Sequence, residues 1–203
     1  IIGRPNVGKS TLVNSLLGYQ RSLVADEMGT TRDAVDSIWH YKGKDFILVD
    51  TAGMRRKGKI NEPLEKYSVI RSIKAIDNCD VAVLILDAKA GVTEQDKKIA
   101  GYVHEAGKSL IIMVNKWDLI EKDNHTMNEF NKQIRDELVF AQYTPILYGS
   151  ALTKQRINRL GEMIFFVAEQ QSMRISTSVL NDLLEDAKMI NPPPAHAGNS
   201  RAI

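Results

Sequence analysis

The residues with the clearest chemical potential lie at the start of the chain, in a glycine-rich segment that ends in lysine and serine. The segment has the spacing G-x-x-x-x-G-K-S and consists of Gly3, Arg4, Pro5, Asn6, Val7, Gly8, Lys9 and Ser10. Glycines there let the backbone wrap around phosphate groups, so that successive N–H groups face the negative charge. We expect Lys9 to reach the β and γ phosphates of a nucleotide and Ser10 to ligate Mg²⁺. The alternative is a glycine turn with a chance lysine.

Two further segments carry residues suited to a magnesium–phosphate site. The first comprises Asp50, Thr51, Ala52 and Gly53. Asp50 follows an apolar strand and can hold Mg²⁺ through water, while the Gly53 N–H can reach the γ-phosphate. The second segment is Gly29–Asp33, in which Thr31, or alternatively Thr30, can bind Mg²⁺ and respond to the γ-phosphate. The alternatives are an aspartate that caps a turn and two solvated loop threonines.

The segment Asn115, Lys116, Trp117 and Asp118 indicates which base is bound. The Asp118 carboxylate can accept hydrogen bonds from the ring N–H and the exocyclic amine of guanine, and adenine offers neither donor there. Asn115 can bridge loops, the Lys116 stem can lie over the base, and Trp117 is interpreted as a packing residue. Backbone N–H groups at Ser150 and Ala151 can meet the guanine carbonyl. The expected ligand is therefore GTP or GDP.

The expected catalytic residues are Lys9, Thr31, Gly53 and Asn6. Ras-type enzymes have a glutamine after the D-x-x-G motif that orients the attacking water, and this chain has Met54. Methionine can neither orient water nor act as a base, so hydrolysis needs an added cation or an arginine supplied by a partner. Asn6 is placed to offer its side-chain carbonyl to a monovalent cation, and the alternative is a turn residue that binds no ion.

A basic stretch follows Met54 and contains Arg55, Arg56, Lys57 and Lys59. It lies where the nucleotide state should move the chain. It can contact RNA phosphates or an acidic partner surface, and the alternative is a solvated loop.

The composition is that of an ordinary globular protein. The 203 residues are 43% hydrophobic and 26% charged, with a net charge of +2 and one cysteine, Cys79. This charge neither requires nor excludes a nucleic-acid partner. No apolar stretch approaches the ~20 residues of a membrane helix, so no membrane span is expected. The chain opens at Ile1 without methionine, and we expect the first strand and the natural protein to extend beyond it.

Apolar runs alternate with amphipathic segments, which predicts an α/β fold: a mostly parallel sheet with helices on both faces, as in P-loop NTPases and Ras-like G domains. The predicted strands are Ile1–Ile2, Val35–Tyr41, Phe46–Asp50 (buried), Val81–Leu86, Leu110–Val114 and Pro145–Tyr148. The predicted helices are Lys9–Leu17, Tyr67–Ile76, Glu94–Glu105, Thr126–Phe140, Ile157–Gln170 and Ser176–Ile190. Ligands of such sheets bind at the carboxyl ends of the strands, where the unusual residues lie.

The pattern predicts two parts. Residues 1–170 form a GTP-binding G domain, and residues 171–203 form a linker and the beginning of a second domain. The last helix has Thr177 or Ser178 as its expected N-cap and ends before three prolines. The alternative is a helix that tethers to the first domain.

These motifs resemble those of the Era-like group of translation-factor-class GTPases, and within it the Der (EngA) family of ribosome-assembly GTPases. The resemblance covers nearly the whole chain. It is carried by GRPNVGKSTLVNSLLG (Gly3–Gly18), GTTRD (Gly29–Asp33), DTAGMRRKGKI (Asp50–Ile60), LDAKAGVTEQD (Leu86–Asp96), NKWDLI (Asn115–Ile120), STSVLNDLLEDA (Ser176–Ala187) and NPPPAH (Asn191–His196). Gly149 departs from the pattern, which has a bulkier residue there.

The resemblance implies a slow GTPase that needs K⁺ or a partner, with Mg²⁺ held by Ser10, Thr31 and Asp50, K⁺ at Asn6, and Met54 as a hydrophobic replacement. It also implies the second of two tandem G domains, followed by a truncated α+β KH-like domain. The implied partners are the large ribosomal subunit and its rRNA, in the bacterial cytoplasm or a plastid, and a monomer is expected.

Two other functions remain open. A tRNA-modification GTPase domain shares the phosphate-loop asparagine and GTTRD, but would continue to a terminal cysteine motif. A nucleotide-sensing module with negligible hydrolysis is compatible with Met54, although Lys9, Ser10 and Asp50 are intact.

Overall fold

The computed structural model describes residues 1–18, 37–49 and 76–192. Five strands and five α-helices lie in these ranges. The strands are β1 (Ser37–Tyr41), β2 (Lys44–Leu48), β3 (Val81–Asp87), β4 (Ser109–Asn115) and β5 (Ile146–Tyr148). The helices are α1 (Lys9–Gly18), α2 (Glu94–Glu105), α3 (Thr126–Glu137), α4 (Asn158–Ser172) and α5 (Thr177–Ile190).

The central sheet is parallel, with the strand order β3-β4-β5. Ile2 extends it beside β3: its N–H donates to Val83 O at 2.9 Å, and its carbonyl accepts from Ile85 N at 3.0 Å. The middle residues of β3 and β4 are almost all buried apolar side chains, as expected of a parallel sheet covered on both faces. The carboxyl ends of these strands lead into the candidate site.

Helices cover the two faces of this sheet and form two hydrophobic clusters. One cluster joins Leu84 and Leu86 of β3 to apolar residues of α2 and α3. The other joins Val83 and Ile85 to α1, α4 and the β1–β2 hairpin. Alternate residues of one strand therefore point to opposite faces, and the predicted α/β architecture is confirmed.

The hairpin corrects one sequence-based prediction. β1 and β2 pair antiparallel around a two-residue turn at Lys42 and Gly43, where φ is 49° and 75°. Two positive φ angles in such a turn match the right-handed twist of the strands. The strand predicted as buried at Phe46–Asp50 is instead β2, in which only Leu48 is buried and Ile47 is 66% exposed. The reason is that β2, within the part described, pairs only with β1 and turns one face outward.

Helix ends also differ from prediction. The helix predicted at Thr126–Phe140 stops at Glu137 because Leu138 (φ −117°, ψ 56°) leaves helical geometry, and a 3₁₀ turn follows at Val139–Ala141. The N-cap of α5 is Ser176, whose Oγ accepts from Val179 N at 3.5 Å, so the predicted caps Thr177 and Ser178 are wrong by one or two residues. Most of the helix predicted at Tyr67–Ile76 lies outside the described residues.

The chain divides into two compact units, Ile1–Gln171 and Ser172–Ile203. The second unit contains α5, and its assignment to a KH-like domain stays a prediction. In the described ranges, no helix has the length and apolar character that crossing a membrane requires.

The close packing of α4 against the hairpin predicts the effect of a small substitution. A Cβ at Gly161 would lie 2.5 Å from Tyr41 Cδ1 and 2.9 Å from the Trp39 ring. Gly161→Ala should therefore lower the free energy of unfolding by about 1–3 kcal/mol. Gly101→Ala is the matched control, because its Cβ would meet nothing within 4 Å inside α2. It should raise stability by ~0.5–1 kcal/mol through helix propensity. Urea denaturation measures both variants, and equal stabilities would contradict the packing argument.

Candidate nucleotide site

The glycine-rich loop after Ile2, the phosphate loop, is shaped by residues with positive φ. Gly3 has φ 138°, Asn6 has φ 65° and Gly8 has φ 104°. A Cβ on Gly3 would lie 2.8 Å from Ile85 O, and one on Gly8 would lie 2.2 Å from Asn115 Nδ2. The loop can therefore approach both β3 and the end of β4 only because these two residues lack side chains.

Lys9 is the first residue of α1, and its side chain extends back over the phosphate loop. Its ammonium donates to Gly3 O at 2.6 Å and to Arg4 O at 2.5 Å. The N-terminus of α1 directs its amides toward the same side, which makes the loop suited to bind an anion. Ser10 is in the first turn, Val7 is buried beneath the loop, and Pro5 is half-buried. A phosphate at this position would compete with the two carbonyls for the lysine.

Asn115, at the end of β4, connects the phosphate loop to the loop after β5. Its side chain is buried, with 3% exposed. Nδ2 donates to Val7 O at 2.7 Å, and Oδ1 accepts from Ala151 N at 2.8 Å. The bridge expected from its position is present, and it brings the predicted phosphate and base segments together.

Lys116 forms an ion pair that the sequence did not predict. The residue is in the left-handed region at φ 62°, and its Nζ lies 2.5 Å from Asp87 Oδ2. Partial burial acts to raise the pKa of the Asp87 carboxyl, but the Lys116 ammonium and the Lys89 amide hold that pKa below its usual range. The lysine stem is thus held beside the predicted base position by the last residue of β3.

Trp117, in the segment after β4, is a buried packing residue, as the sequence indicated. It is 2% exposed, meets the Phe130 ring edge-on at 4.9 Å and lies 4.6 Å from the Tyr148 ring centroid. Asp118 follows in a 3₁₀ turn, Trp117–Leu119, and is half-buried. The aromatic packing fixes the base of the turn that carries Asp118.

In the loop after β5, the backbone N–H groups expected to meet guanine already have partners within the protein. The Ser150 N–H donates to Gln155 O at 3.1 Å and the Ala151 N–H donates to Asn115, so both expected guanine donors are engaged within the protein. A guanine carbonyl would have to share the Ala151 N–H with Asn115. Gly149 also has a structural explanation, since a Cβ there would lie 2.6 Å from Gln155 O.

Several predicted site residues lie outside the described part of the chain. They are Thr30, Thr31, Asp50, Thr51, Ala52, Gly53, Met54 and the basic residues Arg55, Arg56, Lys57 and Lys59. Within the ranges that are described, no group of three or more His, Cys, Asp or Glu side chains could hold a metal ion. Ser10 and the exposed Asn6 are the predicted metal ligands that the structure places at the phosphate loop. The Mg²⁺ and K⁺ sites stay predictions.

A family model agrees with this geometry. The model described as "50S ribosome-binding GTPase" matches residues 1–116, more than half of the chain. The chain belongs to this GTPase family. The match contains the phosphate loop, β3, β4 and the first two residues of the predicted base segment, so the domain that carries the site is a GTPase domain.

Curated relatives of this GTPase domain share more than half of its residues. The protein named GTPase Der from Desulforamulus reducens is 57% identical over 195 residues, which cover 96% of the chain and 44% of the relative. GTPase Der from Desulfitobacterium hafniense is 58% identical over 198 residues, which cover 98% and 45%. The chain therefore spans about half the length of the curated relatives that it matches.

Solved structures of two other proteins share the fold. A structure of Era, in complex with MgGDPNP and a segment of 16S ribosomal RNA, matches with a TM-score of 0.60 and 27% identity, covering 82% of the chain and 54% of Era. A probable GTP-binding protein, engB, matches with a TM-score of 0.54 and 23% identity, covering 83% of the chain and 97% of that protein. The second likeness shows the fold alone.

Sequence reasoning missed two acidic residues of this GTPase domain. Asp87 pairs with Lys116, and Asp96 accepts from Arg4 Nε at 2.9 Å. Both lie in LDAKAGVTEQD (Leu86–Asp96), one of the segments that carry the family resemblance. A carboxylate at the end of a buried parallel strand and one in a helix first turn were the signals available for Asp87 and Asp96.

The Asn115 bridge predicts a loss of both stability and nucleotide binding. Asn115→Ala would leave Val7 O and the Ala151 N–H without their buried partner, at about 1–3 kcal/mol for each group. The free energy of unfolding should fall, and nucleotide affinity should fall by about tenfold or more. Chemical denaturation and titration with a fluorescent GDP analogue measure the two effects. Asn128→Ala, at an exposed position of α3, is the control and should change neither appreciably.

Proposed function

We propose that this chain is a GTP-binding and GTP-hydrolysing conformational switch that acts on the large ribosomal subunit during its assembly. The observation that carries the proposal is the Asn115 side chain, which joins the phosphate loop at Val7 to the base loop at Ala151. A phosphate cradle and a guanine-reading loop held by one side chain favour the binding of an intact nucleotide over either group alone.

The described residues support a division of roles. Lys9 supplies a positive charge inside the loop, and the amides at the start of α1 add oriented dipoles for the β and γ phosphates. Asp118 accepts hydrogen bonds from guanine, and Lys116 covers the base while Asp87 orients it. Ser10, with Thr31 and Asp50, would hold Mg²⁺, which when bound neutralises phosphate charge.

Hydrolysis needs one more positive charge, because Met54 cannot orient water. Asn6 supports the proposal of K⁺ at this place, since it is exposed on the phosphate loop in the left-handed conformation. A K⁺ ion ligated by its side-chain carbonyl would act as the added cation near the β and γ phosphates. Gly53 and Thr31 would complete the contacts to the γ-phosphate.

The ribosomal role is supported by the comparisons. The matching family is described as 50S ribosome-binding, which favours the large subunit, and curated relatives are named GTPase Der. The Era structure contains 16S ribosomal RNA, which supports association with the ribosome in general. The N-terminal G domain and the monomeric state remain proposals. The contact by the basic stretch Arg55–Lys59 with RNA phosphates or an acidic partner remains a proposal from the charge of those residues.

The cation proposal predicts that GTP turnover is faster in K⁺ than in Na⁺ at equal ionic strength. Asn6→Ala should abolish most of this difference and leave K⁺ and Na⁺ rates similar. Asn14→Ala, at an exposed position of α1, should keep the K⁺ stimulation. Phosphate release under multiple-turnover conditions measures all three. Equal rates of the unchanged chain in both salts would refute the K⁺ site, and tight GTP binding without hydrolysis would favour a binding module.

The partner proposal predicts nucleotide-dependent association with large ribosomal subunits. Cosedimentation of the chain with purified large subunits should differ between a nonhydrolysable GTP analogue and GDP, because the switch contacts change with the γ-phosphate. Small subunits are the control. Equal cosedimentation in both nucleotide states, or none in either, would contradict the proposed switch on the ribosome.

A further inference from the structure

Arg4 of the phosphate loop forms an ion pair with Asp96 of α2. Arg4 Nε donates to Asp96 Oδ2 at 2.9 Å, and the two residues are 92 positions apart in the chain. The Asp96 side chain is fully buried, and only 20% of the Arg4 side chain is exposed. A charge pair removed from water holds its geometry firmly, because separation would leave a buried charge without a partner.

The Asp96 carboxylate is itself fixed by its own helix. Thr93 donates to Asp96 Oδ2 twice, from its backbone N at 3.1 Å and from Oγ1 at 2.8 Å, so that the two residues form a capping box. Helix α2 in turn packs into the core through Ile99 and Val103. In this pair, therefore, Asp96 is the anchor and Arg4 is the residue that is positioned.

Arg4 also contacts Lys9, through its backbone carbonyl. The Arg4 carbonyl accepts from the Lys9 ammonium at 2.5 Å, beside the Gly3 carbonyl at 2.6 Å. We propose that Asp96 is a positioning residue of the nucleotide site, which sets the phosphate loop and the Lys9 ammonium through Arg4. This inference rests on the proposed function, because GTP phosphate is the group that Lys9 would meet.

An arginine is suited to this role for a second reason. Arg4 Nη2 and Asp96 Oδ1 are buried and have no hydrogen-bond partner among the described residues. A guanidinium turned toward a two-bond pairing would satisfy both atoms. Two such hydrogen bonds would tie the phosphate loop to Asp96 in one orientation, which a lysine, as a point charge, could not reproduce.

Asp96→Asn in the full chain tests the proposal, because asparagine keeps an oxygen for Thr93 but removes the charge that faces Arg4. The Kd values for GTP and GDP should rise about tenfold at unchanged binding stoichiometry. The ratio of GTP to ITP affinity should stay constant, because ITP lacks only the exocyclic amine that Asp118 reads. Calorimetric titration with each nucleotide gives affinity and stoichiometry together.

Glu94→Gln is the matched control for the loss of a carboxylate from the first turn of α2. It removes the charge that pairs with Lys97 at 2.9 Å and leaves both Thr93 and the Arg4–Asp96 pair, so GTP affinity should stay at its original value. Arg4→Gln combined with Asp96→Asn should bind GTP no more weakly than either single variant, because the two residues act as one unit. If Asp96→Asn fails to fold, Arg4→Lys tests the proposal instead. It should bind GTP more weakly, because lysine cannot form the two-bond pairing with Asp96.

The outcomes separate the two proposals. Unchanged GTP affinity in the folded Asp96→Asn or Arg4→Lys variant would overturn the positioning role alone. An equal loss of affinity in Glu94→Gln, or reduced stoichiometry at constant Kd in Asp96→Asn, would also overturn it. If the unchanged chain bound no GTP, the proposed function and this inference would fail together.

Discussion

Asn115 satisfies a carbonyl of the phosphate loop with one end of its amide and an N–H of the loop after β5 with the other. In a buried site, each of these groups would otherwise lack a hydrogen bond, so the two loops depend on the same side chain. The amide fits only because Gly8 has no Cβ to fill the space that Nδ2 occupies. The phosphate and base segments of the sequence therefore become one site through the close approach of Gly8 and Asn115.

The connection from β3 to α2 also supports this site. It starts at Asp87, which holds Lys116 of the base segment, and reaches Asp96, which holds Arg4 of the phosphate loop. Both are long-range ion pairs between an acidic residue of the connection and a basic residue of a nucleotide motif. The connection begins at the carboxyl end of a strand of the parallel sheet. The base segment and the phosphate loop are therefore both held by residues anchored to that sheet.

The sequence predicts features that depend on local pattern and misses those that depend on distant partners. The parallel strands β3 and β4 are evident because they are continuous apolar runs, and the phosphate loop is evident from its glycine spacing. The sequence predicts a buried strand at Phe46–Asp50 because that run is apolar. The observed β2 is largely exposed, and no local pattern reports which strand lies beside it. The Arg4–Asp96 pair was missed for the same reason, since 92 residues separate its members.

The two tryptophans of the chain occupy different places and give two intrinsic optical probes. Trp117 lies under the Asp118 turn between aromatic rings, whereas Trp39 is buried in the hairpin where it meets α4. A chain that retains only one of them would emit from a single known location. The emission of Trp117 would then report changes in the packing of the base segment. The emission of Trp39 would report changes in the packing of the hairpin against α4, and neither measurement needs an attached dye.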